Sequence, residues 1–467
     1  MSTFGVIVST RGFFPVHLAE TGRREILKKL AEMGHGAVIL SEGDTRYGAV
    51  ETREDAKKCA RLFRENKDRI DGILVILPNF GDEIGVVSAV DMSKLDVPVL
   101  VQACDDDLDK MDVNNRRDAF CGKLSVCSNL NQYGIRYTDT ALHTCSIDSE
   151  EFTRDIGYFS RVCNVVKGIR KARIGAIGAR PAAFQTVRFS EKLLQASGIS
   201  TCVVDLSEII FAAKKLEVTQ EVQNRIKELK SYGRIPEYIK EDKIERQAKL
   251  SVTLENWIKT NECDAGAVQC WDSLEINYGC APCVTMSMLG ETGIPCACEM
   301  DVTGALTMYA LLLASGKPAA YLDWNNNYGN DRNKCINTHC SSFPGSFFGC
   351  EFEVSNLDVL GKSLGADKCF GACKANVDAG PMTFAKITTD DISGKIKVYV
   401  GEGEFTGEPA EIAGGAAVCK IHDLQKLMKY ISGNGFEHHV AMNRSNCADI
   451  LEEALGKYLG WDVYRHS

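Results

Sequence analysis

Glu299 and Asp323 each end a short apolar run, and they stand 24 residues apart on either side of a stretch that reads as one helix. The runs are Ile294 to Cys298 and Ala319 to Leu322. The helix, Val302 to Ser315, is apolar on nearly every face and so is expected to be buried. Gly316 and Pro318 supply the stop signals that follow a helix C-terminus. Strands joined through one helix run parallel and are often neighbours. At the ~4.8 Å spacing of neighbouring strands, both carboxylates would reach one cation in the crevice beyond the strand ends, where ligands bind in α/β sheets. Acidic residues at strand ends also cap helices, and that reading competes for each of them singly. Asp301 stays open between ligand, outer partner and cap. A nitrogen donor is offered by GFEHHVAMN (435–443), where His438 and His439 precede an apolar run. Imidazole is the commonest nitrogen ligand of transition metals, and carboxylates suit Mn²⁺ and Mg²⁺. Two carboxylates and one imidazole leave positions open for water or substrate; a surface histidine pair on a loop is the competing reading.

The elements that must position these groups are legible in outline. Apolar runs at 4–10, 36–40, 72–77 and 98–103 alternate with helical patterns at 16–33, 52–66 and 83–91. Such alternation predicts a parallel, doubly wound sheet. The first loop, Ser9-Thr10-Arg11-Gly12, lacks the glycine pattern of a dinucleotide site, which argues against NAD. Arg11 and the polar segment Pro78 to Asp82, with Asn79, stand at strand ends where ligands bind. A second unit opens with ARIGAIG (172–178), then Arg180 and a helix to about Ser197. Residues 217–260 read as a charged helical pair without chemistry. The strand AGAVQCWD (265–272) brings Trp271, Asp272 and Glu275 beside the carboxylates, as outer partners or as a helix cap. The polar run 324–342 reads as a long functional loop in which Asn325 and His339 are the best substrate contacts. From Ser346 onward the runs are short and β-like, with a turn at Asp390 to Gly394 and closing helices at 422–432 and 444–458. The predicted fold class is α/β: two doubly wound parallel-sheet (Rossmann-like) domains, 1–168 and 169–345, the second carrying the carboxylates, then a mostly antiparallel β domain, 346–467.

Composition sets the bounds. At 467 residues the chain exceeds one core. A net charge of −9 argues against general affinity for nucleic acid. No apolar run approaches the ~20 residues of a membrane span, and MSTFGVIVSTRG lacks a signal-peptide layout. A cytoplasmic location is the expectation. The 20 cysteines are scattered, often within apolar runs, and read as reduced small hydrophobes. Cys280 and Cys283 have the two-residue spacing of a zinc or redox pair, but no second pair at that spacing accompanies them.

Taken together, CEMDVTGALTMYAL (298–311), YLDWNNN (321–327), THCSSFP (338–344), GPMTFAKIT (380–388) and EHHVAMN (437–443) resemble the L-fucose isomerase/L-arabinose isomerase family. Within it the resemblance is to the shorter, fucose-isomerase-like branch that includes sulfoquinovose isomerases. That resemblance implies aldose–ketose isomerisation through an enediol. It implies Mn²⁺ or another divalent cation held by Glu299, Asp323 and His439, with both carboxylates also moving protons. His439 is chosen over His438 because it directly precedes the small apolar pair Val440-Ala441. His339 is similar to an additional histidine of the arabinose-isomerase site. From their positions at strand ends and in the polar run, Asn325, Asn79 and Trp271 are expected as further substrate contacts, as are Arg11 and Arg180, for which surface salt bridges are the competing reading. The family also implies a trimer or hexamer with the site between subunits, and L-fucose, D-arabinose or the sulfonated sugar sulfoquinovose as substrate. Competing expectations are a non-catalytic, two-lobed sugar-binding protein and a thiol or zinc protein using Cys280 and Cys283.

Overall fold

The computed structural model describes residues 1–340, 343–349 and 351–467. Ser341 and Ser342 of THCSSFP, and Cys350 of the β-like run FFGCEFEV, lie outside the described residues. The chain forms two compact units, 1–167 and 168–467. In the first, β1 (Thr3–Val8), β2 (Gly36–Val38), β3 (Gly72–Leu77), β4 (Val99–Ala103) and β5 (Thr138–Asp139) make a parallel sheet in the order β2-β1-β3-β4-β5. Between and after these strands run α1 (His17–Glu32), α2 (Arg53–Glu65), α3 (Glu83–Ser93), α4 (Ala119–Gln132) and α5 (Glu150–Ile169). The reason β3 reads GILVIL, apolar throughout, is that both its faces are covered. Ile73, Val75 and Leu77 pack with α2, α3 and α4, while Leu74 and Ile76 pack with α1 and α5.

The second unit opens with another parallel sheet, β6 (Arg173–Ile177), β7 (Ser200–Val204), β8 (Ala265–Val268) and β9 (Cys296–Ala297), in the order β7-β6-β8-β9. Its connections include α6 (Glu191–Ala196), α7 (Leu206–Lys215), α8 (Gln220–Tyr232), α9 (Glu241–Thr260), α10 (Ser273–Asn277) and α11 (Cys283–Glu291). The helix expected up to Ser197 shrinks to a 3-10 turn at Gln185–Val187 and the short α6. Before that turn, Phe184 leaves the helical path to lay its ring against Trp271 and His438.

Helix α12 (Val302–Ser315) follows, starting at Asp301 and ending at Gly316 in the left-handed conformation (φ 70°). It packs on β6, β8 and β9 on one side and on the later strands β10 (Ala319–Tyr328), β14 (Gly380–Asp390) and β17 (His439–Asn443) on the other. Two sheets enclosing one helix explain why it is apolar all round. Each fully buried leucine, such as Leu306 and Leu311, contributes about 2 kcal/mol.

The remaining strands are β11 (Asp331–His339), β12 (Glu353–Asn356), β13 (Phe370–Asn376), β15 (Lys395–Phe405), β16 (Gly415–Lys420) and β18 (Asp462–His466). With β10, β14 and β17 they form a nine-stranded, mostly antiparallel sheet in the order β12-β13-β16-β11-β10-β17-β14-β15-β18. An added β15–β16 pairing, Glu404 to Lys420 and Phe405 to Cys419, closes six of these strands into a ring.

Two expectations are corrected by this sheet. Within the run expected as a long loop, residues 324–339 form a strand hairpin instead, because β10 and β11 pair across Gly329-Asn330. Gly329 takes the positive φ (54°) that such a two-residue turn requires. Asparagines on the exposed outer end of β10 hid the strand from a reading based on β-propensity. Nor are the strands before Glu299 and Asp323 parallel neighbours: β9 lies in the four-stranded sheet and β10 in the nine-stranded one. Helix α12 passes from one sheet to the other rather than crossing over within one.

Glu275, on α10, is fully buried, and neither carboxyl oxygen has a hydrogen-bond partner among the described residues. Burial pushes its carboxyl up from the ordinary 4.5 to about 8. Between those values the unfolded chain ionises while the folded one keeps the proton, so stability falls as pH rises, by up to about 1.4 kcal/mol per pH unit. Glu275→Gln is therefore expected to raise the urea midpoint at pH 8 and to leave it nearly unchanged at pH 4.5. Equal shifts at both pH values would contradict this assignment.

Candidate metal centre

Glu299 lies one residue beyond the end of β9, with a positive φ (52°) at Glu299 and again at Met300 (57°). A left-handed pair of non-glycine residues is strained. Asp323 and His439 face each other as a cross-strand pair of β10 and β17, and Asp323 is also paired with Thr338 of β11, next to His339. Three strands of the ring thus deliver Asp323, His439 and His339, and the β9 turn delivers Glu299.

His439 Nε2 lies 3.5 Å from both Glu299 Oε2 and Asp323 Oδ1, and His339 Nε2 lies 3.3 Å from Glu299 Oε2. Glu299 Oε2, Asp323 Oδ1 and His439 Nε2 are buried and make no hydrogen bond among the described residues. Leaving a buried polar atom unpaired costs about 1–3 kcal/mol. Two of these three atoms lie 3.5 Å from the third, and Asp323, His339 and His439 place ligand atoms within 4.8 Å of one another. That spacing fits a shared divalent cation, since ligand atoms about 2.1 Å from one ion lie roughly 3 Å apart when adjacent in an octahedral set. The donors are two carboxylates and an imidazole, with His339 at hand: a set for a hard or borderline metal.

Outer contacts aim these donors. His439 Nδ1 lies 3.1 Å from Asp301 Oδ2. The ring proton therefore sits on Nδ1 and the Nε2 lone pair faces Glu299 and Asp323. Asp301 is both cap and outer partner. Its Oδ1 accepts from the Gly304 N–H (2.7 Å) and the Thr303 hydroxyl (2.9 Å), and its Oδ2 from Lys386 Nζ (2.6 Å) and the Tyr321 hydroxyl. Burial alone would favour the neutral acid. The Lys386 ammonium and the His439 ring outweigh it and hold the Asp301 carboxyl well below the usual carboxylate range. Trp271 Nε1 donates to Glu299 Oε1 at 3.0 Å, leaving Oε2 for the centre.

Gly304 is needed for this packing, because a Cβ there would collide with the Tyr321 hydroxyl. Gly304→Ala is expected to displace Tyr321 from Asp301, costing about 1–3 kcal/mol, and to weaken divalent-metal binding together with stability. Unchanged metal affinity in a folded variant would contradict that coupling.

Of the predicted site residues, Glu299, Asp323, His339, Trp271 and Asn325 line one cavity of about 420 Å³, and His439 stands behind the two carboxylates. Asn325 Oδ1 accepts from the Thr338 N–H (2.9 Å). Arg180 instead lines a separate cavity with Arg188, Met300 and Glu437, its guanidinium turned onto the carbonyls of Pro181 and Ala182. Arg11 and Asn79 belong to the unit 1–167. Arg11 lies over the Phe80 ring (4.4 Å) near Asp82 and Glu83. Asn79 is buried, donating to Thr10 and to the carbonyl of Pro15. Sequence reasoning missed Phe184, whose ring lies 5.1 Å from that of Trp271 and 5.8 Å from that of His439. It also missed Lys386, although a lysine inside the apolar strand GPMTFAKIT was a usable signal.

Comparison with known proteins matches both ends of the chain. Residues 5–170 match the family model for the fucose/sulfoquinovose isomerase N-terminal domain, and residues 337–467 that for the L-fucose isomerase C-terminal domain. The chain belongs to the fucose/sulfoquinovose isomerase family. Relatives described as sulfoquinovose isomerase from Priestia aryabhattai and Priestia megaterium are each 26% identical over 311 residues, 65% of this chain and 66% of theirs. One from Alkalicoccus urumqiensis is 26% identical over 307 residues, 64% of this chain and 65% of its own. The matched region thus spans just under two thirds of these relatives. A solved periplasmic solute-binding protein from Actinobacillus succinogenes, with bound D-allose, covers 68% of this chain and 93% of its own at 10% identity and a TM-score of 0.18, and carries no weight. In this fucose/sulfoquinovose isomerase family member, His339 and His439 fall within the C-terminal match, whereas Glu299 and Asp323 lie between the two matched segments. Among the described residues no helix is long and apolar enough to cross a membrane.

Proposed function

We propose that this chain is a divalent-metal-dependent aldose–ketose isomerase acting on an open-chain sugar, with Glu299, Asp323 and His439 holding the metal. The observation that carries the reading is the convergence of three buried ligand atoms, unpaired among the described residues, beside a 420 Å³ cavity. When bound, the cation supplies Lewis-acid stabilisation of the negative charge that develops on the sugar oxygens. The chain's own groups do the rest. Glu299 and Asp323, on either side of the sugar, take the proton from C2 and return one to C1, a role that contributes about 10²–10⁴-fold to rate. Trp271 fixes the rotamer of Glu299, and Asp301 holds the proton on His439 Nδ1. Asn325 and His339 line the cavity where sugar hydroxyls sit, and the Phe184 ring lies against Trp271 and His439.

Manganese is the metal the donor set favours, and a 6-sulfonated hexose of the sulfoquinovose type is the first substrate to test, since the matching relatives carry that description. L-Fucose and D-arabinose follow. A homo-oligomer, trimer or hexamer, in the cytoplasm completes the proposal. The test is ketose formation from these three aldoses after chelation and again with Mn²⁺ restored. Metal-restored turnover of one sugar supports the reading. Metal-independent sugar binding without turnover would move the function to sugar binding alone.

A further inference from the structure

Four cysteines from four segments of the second unit are linked by Sγ–Sγ contacts. Cys270 follows β8, Cys283 opens α11, Cys298 follows β9 and Cys340 follows β11. Cys298 Sγ lies 2.8 Å from Cys270 Sγ and 3.6 Å from Cys340 Sγ, and Cys283 Sγ lies 3.9 Å from Cys340 Sγ. Cys283 and Cys298 are fully buried, Cys270 nearly so, and Cys340 partly. Cys298 and Cys340 also group with Glu299 and His339 as donors lying within 4.8 Å of one another. Of the two cysteines with two-residue spacing, Cys280 and Cys283, it is Cys283 that joins this cluster, through Cys340, far from it in sequence.

Packing of small apolar groups gives no reason for sulfur to meet sulfur repeatedly; a shared cation does. Four sulfurs about 2.3 Å from one tetrahedral ion lie about 3.8 Å apart. Two of the three contacts stand near that value, and the Cys270–Cys298 contact would open by about 1 Å on filling. Negative charge on these sulfurs has two local supports. Cys283 is the first residue of α11, at the positive end of the helix. His339 Nδ1 lies 3.2 Å from Cys340 Sγ, and with the proton on that nitrogen the ring donates to sulfur while Nε2 faces Glu299.

We propose that Cys270, Cys283, Cys298 and Cys340 form a tetrathiolate site for one thiophilic divalent cation of the zinc class, adjoining the Glu299/Asp323/His439 centre, whose cavity Cys270 and Cys340 also line. Filling breaks four S–H bonds, forms four sulfur–metal bonds and releases four protons, with no change of oxidation state. The site would tie β8, β9 and α11 to β11. It would thereby brace Glu299, the residue after Cys298, and His339, the residue before Cys340. The inference does not rest on the proposed isomerase activity.

The experiment uses the full chain, reduced and stripped of metal, then saturated with Mn²⁺ and titrated with Cd²⁺. One equivalent of Cd²⁺ is expected to bind with a sulfur-to-cadmium charge-transfer absorption. It should release four protons and protect these four cysteines from alkylation, read by peptide mass mapping. Cys283→Ser and Cys340→Ser should each weaken Cd²⁺ binding beyond the ~10–100-fold typical of losing an outer partner. Glu299→Gln should keep the absorption and the protection while losing turnover, so failure of this proposal and failure of the isomerase reading are distinguishable. Absence of the charge-transfer band at one equivalent, protection of other cysteines instead, or a disulfide within the four in chain purified without oxygen would each overturn the proposal. Protection and proton release are read on the unaltered chain, so the test decides the matter even if a serine variant fails to fold.

Discussion

Glu299→Gln is expected to lower kcat by about 10³-fold or more while the chain stays folded. The amide oxygen can still accept from Trp271 Nε1, the 3.0 Å contact that fixes this side chain. What is lost is the anionic Oε2, the atom that faces both His439 and His339 and makes no hydrogen bond among the described residues. Both roles assigned to Glu299, metal ligand and proton carrier, need that atom. Metal content and turnover should therefore fall together, whereas Trp271→Phe, which removes only the positioning contact, should reduce turnover and keep most of the metal. The measurements are ketose formation and bound manganese per chain. A Glu299→Gln variant retaining about a tenth or more of the unaltered kcat would remove Glu299 from the mechanism.

The largest expected loss of stability comes from Lys386→Met. Lys386 Nζ and Asp301 Oδ2 are 2.6 Å apart, and both side chains are 0% exposed. Removing one partner of a buried pair leaves the other charge uncompensated, which costs about 3–5 kcal/mol. The Asp301 carboxyl would then move up towards the neutral acid, since burial favours that form and its main counter-charge is gone. His439 would lose part of its orienting charge, so metal affinity should also drop. All four tryptophans, Trp257, Trp271, Trp324 and Trp461, lie in the second unit, so fluorescence-detected urea unfolding reads that unit directly. Lys395→Met, at an exposed lysine, serves as the control. Equal midpoints for the two variants would show that the buried pair adds nothing. Asp301→Asn combined with Lys386→Met should recover part of the loss, because no buried charge of that pair then remains.

Much of this was legible from local pattern. The alternation of apolar runs and helices in the first unit, the all-round apolar α12 with Asp301 and Gly316 at its ends, and the turn between β14 and β15 follow from periodicity and cap chemistry, which act over a few residues. Glu299, Asp323 and His439 were legible as donors because charged and imidazole groups beside apolar runs are costly without a purpose. The β10–β11 hairpin was not legible, since asparagines on its outer end lower β-propensity while pairing with β16 and β17 overrides it. Its Gly329-Asn330 turn was the available signal.

Residue type and spacing by themselves gave the α/β fold class, two carboxylates and a histidine pair as candidate donors, and the helix between the carboxylates, while the choice of His439 over His438 came from the family resemblance. Tertiary structure alone decided that Glu299 and Asp323 come from different sheets, that Asp301 contacts His439, that Lys386 balances it, and that four cysteines up to 70 positions apart are linked by Sγ–Sγ contacts. The physical reason is range. Periodicity and caps are set by neighbours along the chain, whereas cross-strand pairing such as Asp323 with His439 is set by which sheet closes on which, and that is decided by the burial of α12 between two sheets.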